Sequence, residues 1–401
     1  DEALPNDTAT GDDENAGGTT SGVPVPAPGD EDGITFEVYD SGTGLPILHS
    51  GIANTITVKV VNTGGTTGYL NAWLDFDGNG SWGDTLHAGT AWEASEHVLV
   101  NEYLGTTSQD AIELTITVPW YLTGKDTFLR FRLTEAAIPD TILDGYAGTA
   151  STLDGGRQPI RGEVEDYLVT IAAPTVDFGD APDGVTPLPD RPVSTYPTRD
   201  YSTGSYTDSY TGRGARSLVD ATSPYLGGGV DFETDGNTNG YADGDDTTDI
   251  DDEDGVRIVS HDGLLRIYQP DRPVAESTNT LEVIVNGDGY LNIWIDYDFD
   301  GNFTGAGEQL VLNNSIWDPI AGVYTPLTLA TDGTVNSIDF LTPSGVEAHY
   351  SFMRVRYTDR ADVGPDGGGA ADNQLLLTRG EVEDYAVTLV RPSARISGYK
   401  F

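Results

Sequence analysis

Apolar and polar side chains alternate with a period of two along many short segments of this chain. The alternation is most regular over residues 55–61, 113–118 and 281–285, and clusters of Gly, Pro, Asn and Asp separate such segments. A period of two with many β-branched residues is typical of half-buried antiparallel strands. Only residues 91–100 show the apolar spacing of a short helix. The pattern therefore predicts an all-β chain of β-sandwich modules, jelly-roll or immunoglobulin-like, with long acidic loops rich in Gly and Asp.

Three sequence blocks occur twice in the same order, which indicates two homologous modules. The block Asp-Glu-Asp-Gly ends at positions 33 and 255, Gly-Tyr-Leu-Asn begins at positions 68 and 289, and Arg-Gly-Glu-Val-Glu-Asp-Tyr begins at positions 161 and 379. The offsets between copies are 222, 221 and 218 residues. We therefore predict an extended N-terminal segment over residues 1–28, module one over 29–173, module two over 174–391, and a C-terminal strand or tail over 392–401.

The charge of the chain limits its partners and its location. There are 65 Asp and Glu residues against 20 Lys and Arg residues, which gives a net charge of −45. Phosphate groups bind clustered Lys and Arg, so we expect no nucleic-acid partner, and no apolar run is long enough for membrane insertion. The absence of cysteine excludes thiol catalysis and disulfide bonds. The acidic, lysine-poor composition favours an extracellular location at a cell surface.

Two Asp-rich loops follow Trp-bearing apolar strands at equivalent places in the modules. In module two, Asp296, Asp298 and Asp300 stand at alternate positions before Gly301, and Glu308 follows. Carboxylates that converge around a glycine turn are the oxygen ligands that Ca²⁺ prefers. We therefore predict a calcium site formed by these four acidic residues. The alternative is a solvated hairpin turn, because Asp and Gly are common in turns.

Module one repeats this loop with Asp75, Asp77 and Asn79, and Asp84 lies downstream. We predict a second calcium site from these four residues. His87 stands where module two has Glu308, so this interpretation leaves module one short of one ligand.

A further acidic tract, residues 243–254, precedes the second Asp-Glu-Asp-Gly block. Like charges at this density favour bound cations, and Asp243, Asp245 and Asp251 are candidate ligands for additional Ca²⁺. The alternative is an ordinary solvated loop.

The two Gly-Glu-Val-Glu-Asp-Tyr blocks admit a catalytic and an architectural interpretation. On a strand, Glu163, Glu165 and Tyr167 share one face, and paired carboxylates could act as the acid and base of a glycosidase. Each block is also expected to lie beside a strand that carries paired arginines, Arg130 and Arg132 in module one and Arg354 and Arg356 in module two. We favour an Arg–Glu brace or a metal ligand over catalysis. The five histidines are scattered, and we expect no enzymatic activity.

The chain is similar to the GEVED family of secreted prokaryotic surface proteins. The resemblance rests on the repeated Gly-Glu-Val-Glu-Asp block, the Asp-Phe-Gly-Asp-Ala-Pro-Asp opening at 177–183 and the Asp-rich loop at 294–301. It implies large, modular, exported proteins of cell surfaces and extracellular matrices, without an established catalytic activity. Residues 396–401 resemble the first strand of a Cna-B-like or SdrD-B-like module.

These observations predict a calcium-stabilised structural subunit of a surface layer, sheath or filament, whose partners are other copies of itself. Strand donation is one hypothesis for head-to-tail assembly, because module one lacks the opening segment of module two and the tail is strand-like. The alternative is an adhesin or carbohydrate-binding module that binds surface glycans, for which Trp82, Trp92, Trp120 and Trp317 could stack on sugar rings.

Overall fold

A computed structural model shows two compact units, Asp1–Pro174 and Thr175–Phe401, which we call module one and module two from here on. The structure describes residues 19–20, 23–24, 32–62, 65–86, 88, 93–122, 124–138, 162–184, 196–199, 214–233, 235–244, 253–367 and 376–392. Among the described residues of both units, nearly all regular secondary structure is strand, which confirms the predicted all-β, two-module fold.

The described residues of module one form two facing sheets and two short ribbons. The strands are β1 (Thr19–Thr20), β2 (Val23–Pro24), β3 (Ile34–Phe36), β4 (Ile47–His49), β5 (Ala53–Val60), β6 (Gly68–Leu74), β7 (Thr85–Leu86), β8 (Ala94–Ser95), β9 (His97–Gly105), β10 (Gln109–Thr117), β11 (Lys125–Thr134) and β12 (Gly162–Ala172). One sheet has the order β10–β5–β3, and the other has the order β4–β12–β11–β6–β9. All pairs are antiparallel except β4 with β12.

Module two repeats this framework and adds elements before it. Its strands are β13 (Val176–Phe178), β14 (Arg216–Leu218), β15 (Tyr225–Leu226), β16 (Val256–Ile258), β17 (Leu265–Arg266), β18 (Asn279–Asn286), β19 (Tyr290–Ile295), β20 (Gln309–Val311), β21 (Ser315–Asp318), β22 (Val323–Pro326), β23 (Asp332–Phe340), β24 (Tyr350–Thr358) and β25 (Gly380–Val390). In the first sheet, β18 pairs with β23 and with both β15 and β16. The second sheet has the order β17–β25–β24–β19–β20–β21–β22.

The core of each module lies between its two sheets, as the alternating pattern requires. Along β18 every second side chain is buried, and Leu281, Val283 and Val285 pack into one cluster with residues of the second sheet. The same alternation in β5 buries Ile56 and Val58. Burial of such side chains stabilises each by about 1.5–3 kcal/mol relative to exposure. The strands that lead into the two Asp-rich loops, β6 and β19, are instead buried at almost every position.

Residues 91–100 do not form the short helix that their spacing suggested. The described part of this segment enters β8 and β9, where Leu99 is buried and Val100 is exposed. The β-branched residues at 98 and 100 favour a strand, and pairing with β6 selects it. In the described part of the chain, helical geometry is limited to two 3₁₀ turns, His261–Gly263 and Val274–Glu276.

Candidate metal centres

The structure brings the four predicted ligands of module two together. Asp296, Asp298, Asp300 and Glu308 each offer a carboxylate oxygen, and these oxygens lie within 4.8 Å of one another. Asp296 and Glu308 are buried, while Asp298 and Asp300 are exposed, so one side of the cluster is open to solvent. Burial, together with the charges of the neighbouring aspartates, raises the pKa of Glu308 from 4.5 to about 7. A hard divalent cation would offset the repulsion among these groups.

Backbone amides fix the two buried carboxylates of this cluster. Asp296 follows β19 directly, and its side chain accepts hydrogen bonds from the Gly301 amide at 3.1 Å and from the Tyr196 hydroxyl at 2.5 Å. Gly301 has a φ of 85°, which glycine adopts without strain and which turns the loop back over Asp296. Glu308 accepts a hydrogen bond from the Gly305 amide at 2.6 Å. The loop therefore holds its carboxylates in place through its own backbone.

The corresponding cluster of module one contains Asp75, Asp77 and Glu96. Oxygens of these three side chains lie within 4.8 Å of one another, and Asp75 and Glu96 are buried. The two other predicted ligands adjoin them, because the Asn79 side-chain amide donates to Asp77 at 3.0 Å and to Asp84 at 2.7 Å. All four predicted residues of module one therefore lie in one loop region, together with a glutamate that the sequence analysis did not identify.

Glu96 occupies the structural place that the sequence alignment assigned to His87, which lies outside the described residues. Glu96 accepts hydrogen bonds from the amides of Phe76 at 2.9 Å and Asp84 at 3.1 Å. Glu308 accepts from Tyr297 and Gly305 in the same way, and Phe76 and Tyr297 each follow the first aspartate of their loop. Module one is therefore not short of this ligand, contrary to the expectation from alignment.

The sequence around Glu96 contains a pattern that could have identified it, but the loop before Glu96 is longer than the corresponding loop of module two. Glu96 directly precedes His97, the partner of Trp73 across the sheet, and Glu308 directly precedes Gln309, the partner of Trp294. A glutamate just before the strand that pairs with the Trp-bearing strand thus identifies both residues. The longer loop of module one moved Glu96 away from the position where alignment places it.

The acidic tract of module two forms no comparable cluster in the described part of the chain. Asp243 is exposed, and it accepts a hydrogen bond from the Asn239 side chain at 2.6 Å. The two other candidate ligands, Asp245 and Asp251, lie outside the described residues. Asp243 belongs to neither of the metal-ligand groups found among the described side chains.

The second glutamate of each Gly-Glu-Val-Glu-Asp block joins the two sheets of its sandwich. Glu165 in β12 accepts a hydrogen bond from the Gly33 amide at 3.1 Å, and Glu383 in β25 accepts one from the Gly255 amide at 2.8 Å. The tyrosine two residues later donates its hydroxyl to the same carboxylate in each module, at 3.0 and 2.9 Å. The repeated glutamates thus connect to the repeated Asp-Glu-Asp-Gly blocks.

The first arginine of each pair beside these blocks contacts an aspartate, not the expected glutamate. Arg130 contacts Asp166 at 2.5 Å, and Arg354 contacts Asp384 at 2.7 Å. Each arginine stands directly opposite its aspartate across the strand pair, so the two side chains share a face. The glutamates of the block point to the other face, which explains why the predicted Arg–Glu brace is wrong in its acidic partner.

The tryptophans considered for sugar stacking have different surroundings. Trp120 is buried, and Trp82 packs against Trp73 with the Arg130 guanidinium 5.0 Å from its ring centre. Trp317 lies half-buried on the hairpin β21–β22, with its ring centre 5.1 Å from that of Tyr324. Trp92 lies outside the described residues.

Comparison with known proteins identifies the family of both modules. No curated protein matches the chain. Among solved structures, the native conformation of E. coli alpha-2-macroglobulin is similar at 10% identity and a TM-score of 0.16, over 90% of this chain and 16% of that one, and this slight likeness carries no argument. No helix among the described residues is long and apolar enough to cross a membrane.

The family model of the GEVED domain matches residues 69–170 and 290–388, about half of the chain, so this chain belongs to the GEVED domain family with two tandem copies.

Proposed function

We propose that this protein is a non-enzymatic, extracellular structural subunit whose two modules are stabilised by Ca²⁺ and which assembles with other copies of itself. The main support for the proposal is that an equivalent carboxylate cluster is present in each module. In each module a loop aspartate and a distant glutamate, Asp75 with Glu96 and Asp296 with Glu308, are buried side by side. Membership in a family of secreted surface domains supports an extracellular location, where Ca²⁺ is available.

The donor set favours Ca²⁺ over Mg²⁺. All ligand atoms are carboxylate oxygens, and the open side of the cluster leaves room for water. Ca²⁺ accepts six to eight oxygen ligands in irregular geometry, whereas Mg²⁺ requires a compact octahedron. At one hundred times its dissociation constant, a bound ion stabilises the folded state by about 2.7 kcal/mol per site.

An architectural role of the Gly-Glu-Val-Glu-Asp strands supports the absence of catalysis. Glu165 and Glu383 accept hydrogen bonds from a backbone amide and a tyrosine hydroxyl, which are contacts of a structural link. Substitution Glu383→Gln should lower stability without removing any hydrolytic activity. Glycoside hydrolysis by the unmodified protein that this substitution abolishes would refute the proposal.

The experiment that tests the function is negative-stain electron microscopy of the purified full chain in Ca²⁺, in chelator, and after return of Ca²⁺ or Mg²⁺. We expect an ordered sheet, sheath or filament in Ca²⁺, its loss in chelator, and recovery with Ca²⁺ more than with Mg²⁺. Monomers in every condition would contradict a structural subunit.

The hairpin β21–β22 favours a second candidate function, binding of surface glycans as an adhesin. Trp317 and Tyr324 form an aromatic pair on it, and Ile320 and Val323 are exposed nearby. Aromatic faces of this kind can stack on sugar rings. Saturable retention of monomers on a glycan array, lost in Trp317→Ala, would support this alternative.

A further inference from the structure

A cavity adjoins the open side of the carboxylate cluster of module two. It measures about 550 Å³ and lies between the Asp-rich loop and residues 343–349, which connect β23 to β24. Asp298 and Glu308 line it, so a cation held by the cluster would border this space. Small-molecule sites in proteins typically measure roughly 300–1,000 Å³. We call this space the loop cavity, and its volume falls within the range of a ligand site.

Two side chains of the loop cavity carry polar atoms that no described residue satisfies. Tyr297 is only 6% exposed, and its hydroxyl has no hydrogen-bond partner among the described residues. The Nε2 atom of His349 is likewise buried, and no described residue bonds to it. Both residues line the cavity. Because an unpaired buried polar group costs free energy, a molecule that bonds to these two groups would gain affinity from them.

Module one has a connection of equal length at the place where module two forms the loop cavity. Ile116 of β10 and Phe340 of β23 pair with equivalent asparagines, Asn54 and Asn279, at an offset of 224 residues between modules. The offset is again 224 beyond the connection, at the arginines that face the aspartates of the Gly-Glu-Val-Glu-Asp blocks. Residues 118–124 of module one therefore correspond one by one to residues 342–348 of module two.

Module one carries large side chains where module two has small ones. Trp120 corresponds to Ser344 and is 5% exposed, and the next position changes from tyrosine to glycine. Phe76, which has no hydroxyl, corresponds to Tyr297. Both modules keep the strands and the carboxylate cluster, so the shared framework does not by itself require the loop cavity. Small residues in the connection of module two make room for it, and Tyr297 adds a polar group to its wall.

The open side of the metal centre requires a ligand that supplies oxygen atoms. Four carboxylate oxygens, one from each cluster residue, leave about two to four of the six to eight positions that Ca²⁺ fills. Ammonium and guanidinium groups cannot fill them, because they accept no bonds. Anionic ligands are disfavoured too, since Glu347 adds a third carboxylate to those of Asp298 and Glu308 in the wall. A neutral molecule rich in hydroxyl groups meets these requirements.

We propose that the loop cavity of module two binds a neutral carbohydrate, in which two adjacent ring hydroxyls complete the coordination of the bound Ca²⁺. The proposal rests on the calcium binding put forward under Proposed function, and it adds a ligand to that site. Further hydroxyls would bond to Tyr297 and His349. The less polar face of the sugar would pack on Phe299, whose ring centre lies 5.8 Å from that of His349. This site is distinct from the hairpin β21–β22, of which no described residue lines the cavity.

An array of neutral and uronic-acid glycans, probed with the labelled full chain, tests the ligand class. We expect saturable retention of neutral glycans in Ca²⁺, weakened by about tenfold or more in chelator because the metal then no longer holds the sugar hydroxyls. Uronic-acid glycans should not be retained, since their carboxylates meet those of the cavity wall.

Two variants that carry the residues of module one test the location. Ser344 is exposed, so Ser344→Trp should fold, occupy the cavity and weaken retention by about tenfold or more. Tyr297→Phe removes one hydrogen bond and should weaken retention by roughly two- to tenfold. Isothermal titration calorimetry should show unchanged Ca²⁺ affinity in both variants. The matched control, Ser337→Trp, adds the same side chain at an exposed position of β23 outside the cavity and should retain glycans normally.

Two results would overturn the carbohydrate site while leaving the calcium proposal intact. One is uptake of Ca²⁺ without retention of any neutral glycan, and the other is retention that Ser344→Trp does not change. In the second case the sugar binds elsewhere on the chain, and Trp317→Ala then tests the hairpin β21–β22. Equal retention in Ca²⁺ and in chelator would also overturn the proposed bridging by the metal. If calorimetry detects no Ca²⁺ binding to module two, the calcium proposal fails and this inference fails with it.

Discussion

The outer face of the Gly-Glu-Val-Glu-Asp sheet differs sharply between the two modules. In module one, the side chains of Arg130 and Asp166 are 19% and 31% exposed, and Trp82 lies over the guanidinium. In module two, the equivalent side chains of Arg354 and Asp384 are both 0% exposed. The same pair in the same register is therefore a surface contact in one module and a core contact in the other.

The segment of module two between residues 175 and 244, as far as it is described, causes this difference. Its residues Ala181, Tyr196 and Ala242 form a second apolar cluster on the outer face, with Phe352 of β24 among the sheet residues they cover. The segment also supplies acceptors for Arg354, including the Pro197 carbonyl at 2.7 Å. A repeated motif thus specifies a pairing, but the covering segment sets its electrostatic environment and so its contribution to stability.

The largest expected effect comes from truncating the buried arginine. Arg354→Ala leaves Asp384 as an uncompensated buried charge, so we expect module two to lose about 3–5 kcal/mol of unfolding free energy. The matched substitution Arg130→Ala should cost module one about 1 kcal/mol or less, because water solvates Asp166 there. Denaturant unfolding followed at both transitions measures the two losses. Equal losses of unfolding free energy in the two variants would show that burial of the Arg–Asp pair does not change its contribution to stability.

Removal of Ca²⁺ should have the next largest effect, and it tests whether the two metal centres are equivalent. Chelator should lower the melting temperature of both modules, and Ca²⁺ should restore it more than Mg²⁺. The loss should be about 2.7 kcal/mol per site, relative to Ca²⁺ at one hundred times its dissociation constant. Asp298→Ala should reproduce the loss in module two, and Asp77→Ala the loss in module one. Identical melting curves with and without chelator would rule out both sites.

Glu96 allows a finer test of the same equivalence. Glu96→Gln should lower the affinity of module one for Ca²⁺ by roughly an order of magnitude, because ligand charge tunes calcium affinity, and Glu308→Gln should do the same in module two. Isothermal titration calorimetry measures both. The control Glu93→Gln changes an exposed residue of the same segment and should have no effect. If the Glu96→Gln variant binds Ca²⁺ with unchanged affinity, Glu96 is not a calcium ligand despite its structural match to Glu308.

The smallest expected effect is a dependence on pH that arises in module one. Burial raises the pKa of Glu165 from 4.5 to about 7. The folded state therefore holds a proton that the unfolded state has lost, so the stability of module one should fall as pH rises from about 4.5 to 7. Glu165→Gln should remove this slope and keep the hydrogen bond to Gly33. Thermal melts from pH 4 to 8 in saturating Ca²⁺ measure this dependence. If the stability of the variant falls with pH as it does in the unmodified protein, Glu165 is not its cause.

Local pattern was sufficient for the strands, the repeat and most of the candidate ligands. The period of two in residues 55–61 and 281–285 predicts strands that the structure forms as β5 and β18, because half-buried strands need alternation whatever their partners. The Asp-rich loops were visible for a similar reason: Asp296, Asp298 and Asp300 are neighbours in sequence, and a glycine turn is enough to bring them together.

Contacts between distant residues were decided by the tertiary structure alone. Glu96 reaches Asp75 because β9 pairs with β6, and a difference in loop length hid this from alignment. Asp166, not a glutamate, meets Arg130 because strand register determines which side chains share a face. Whether that pair is exposed or buried depends on a segment far away in sequence, since solvation is a property of the packed surface. The sequence by itself therefore determined the elements and the local ligands, and packing determined partners and environments.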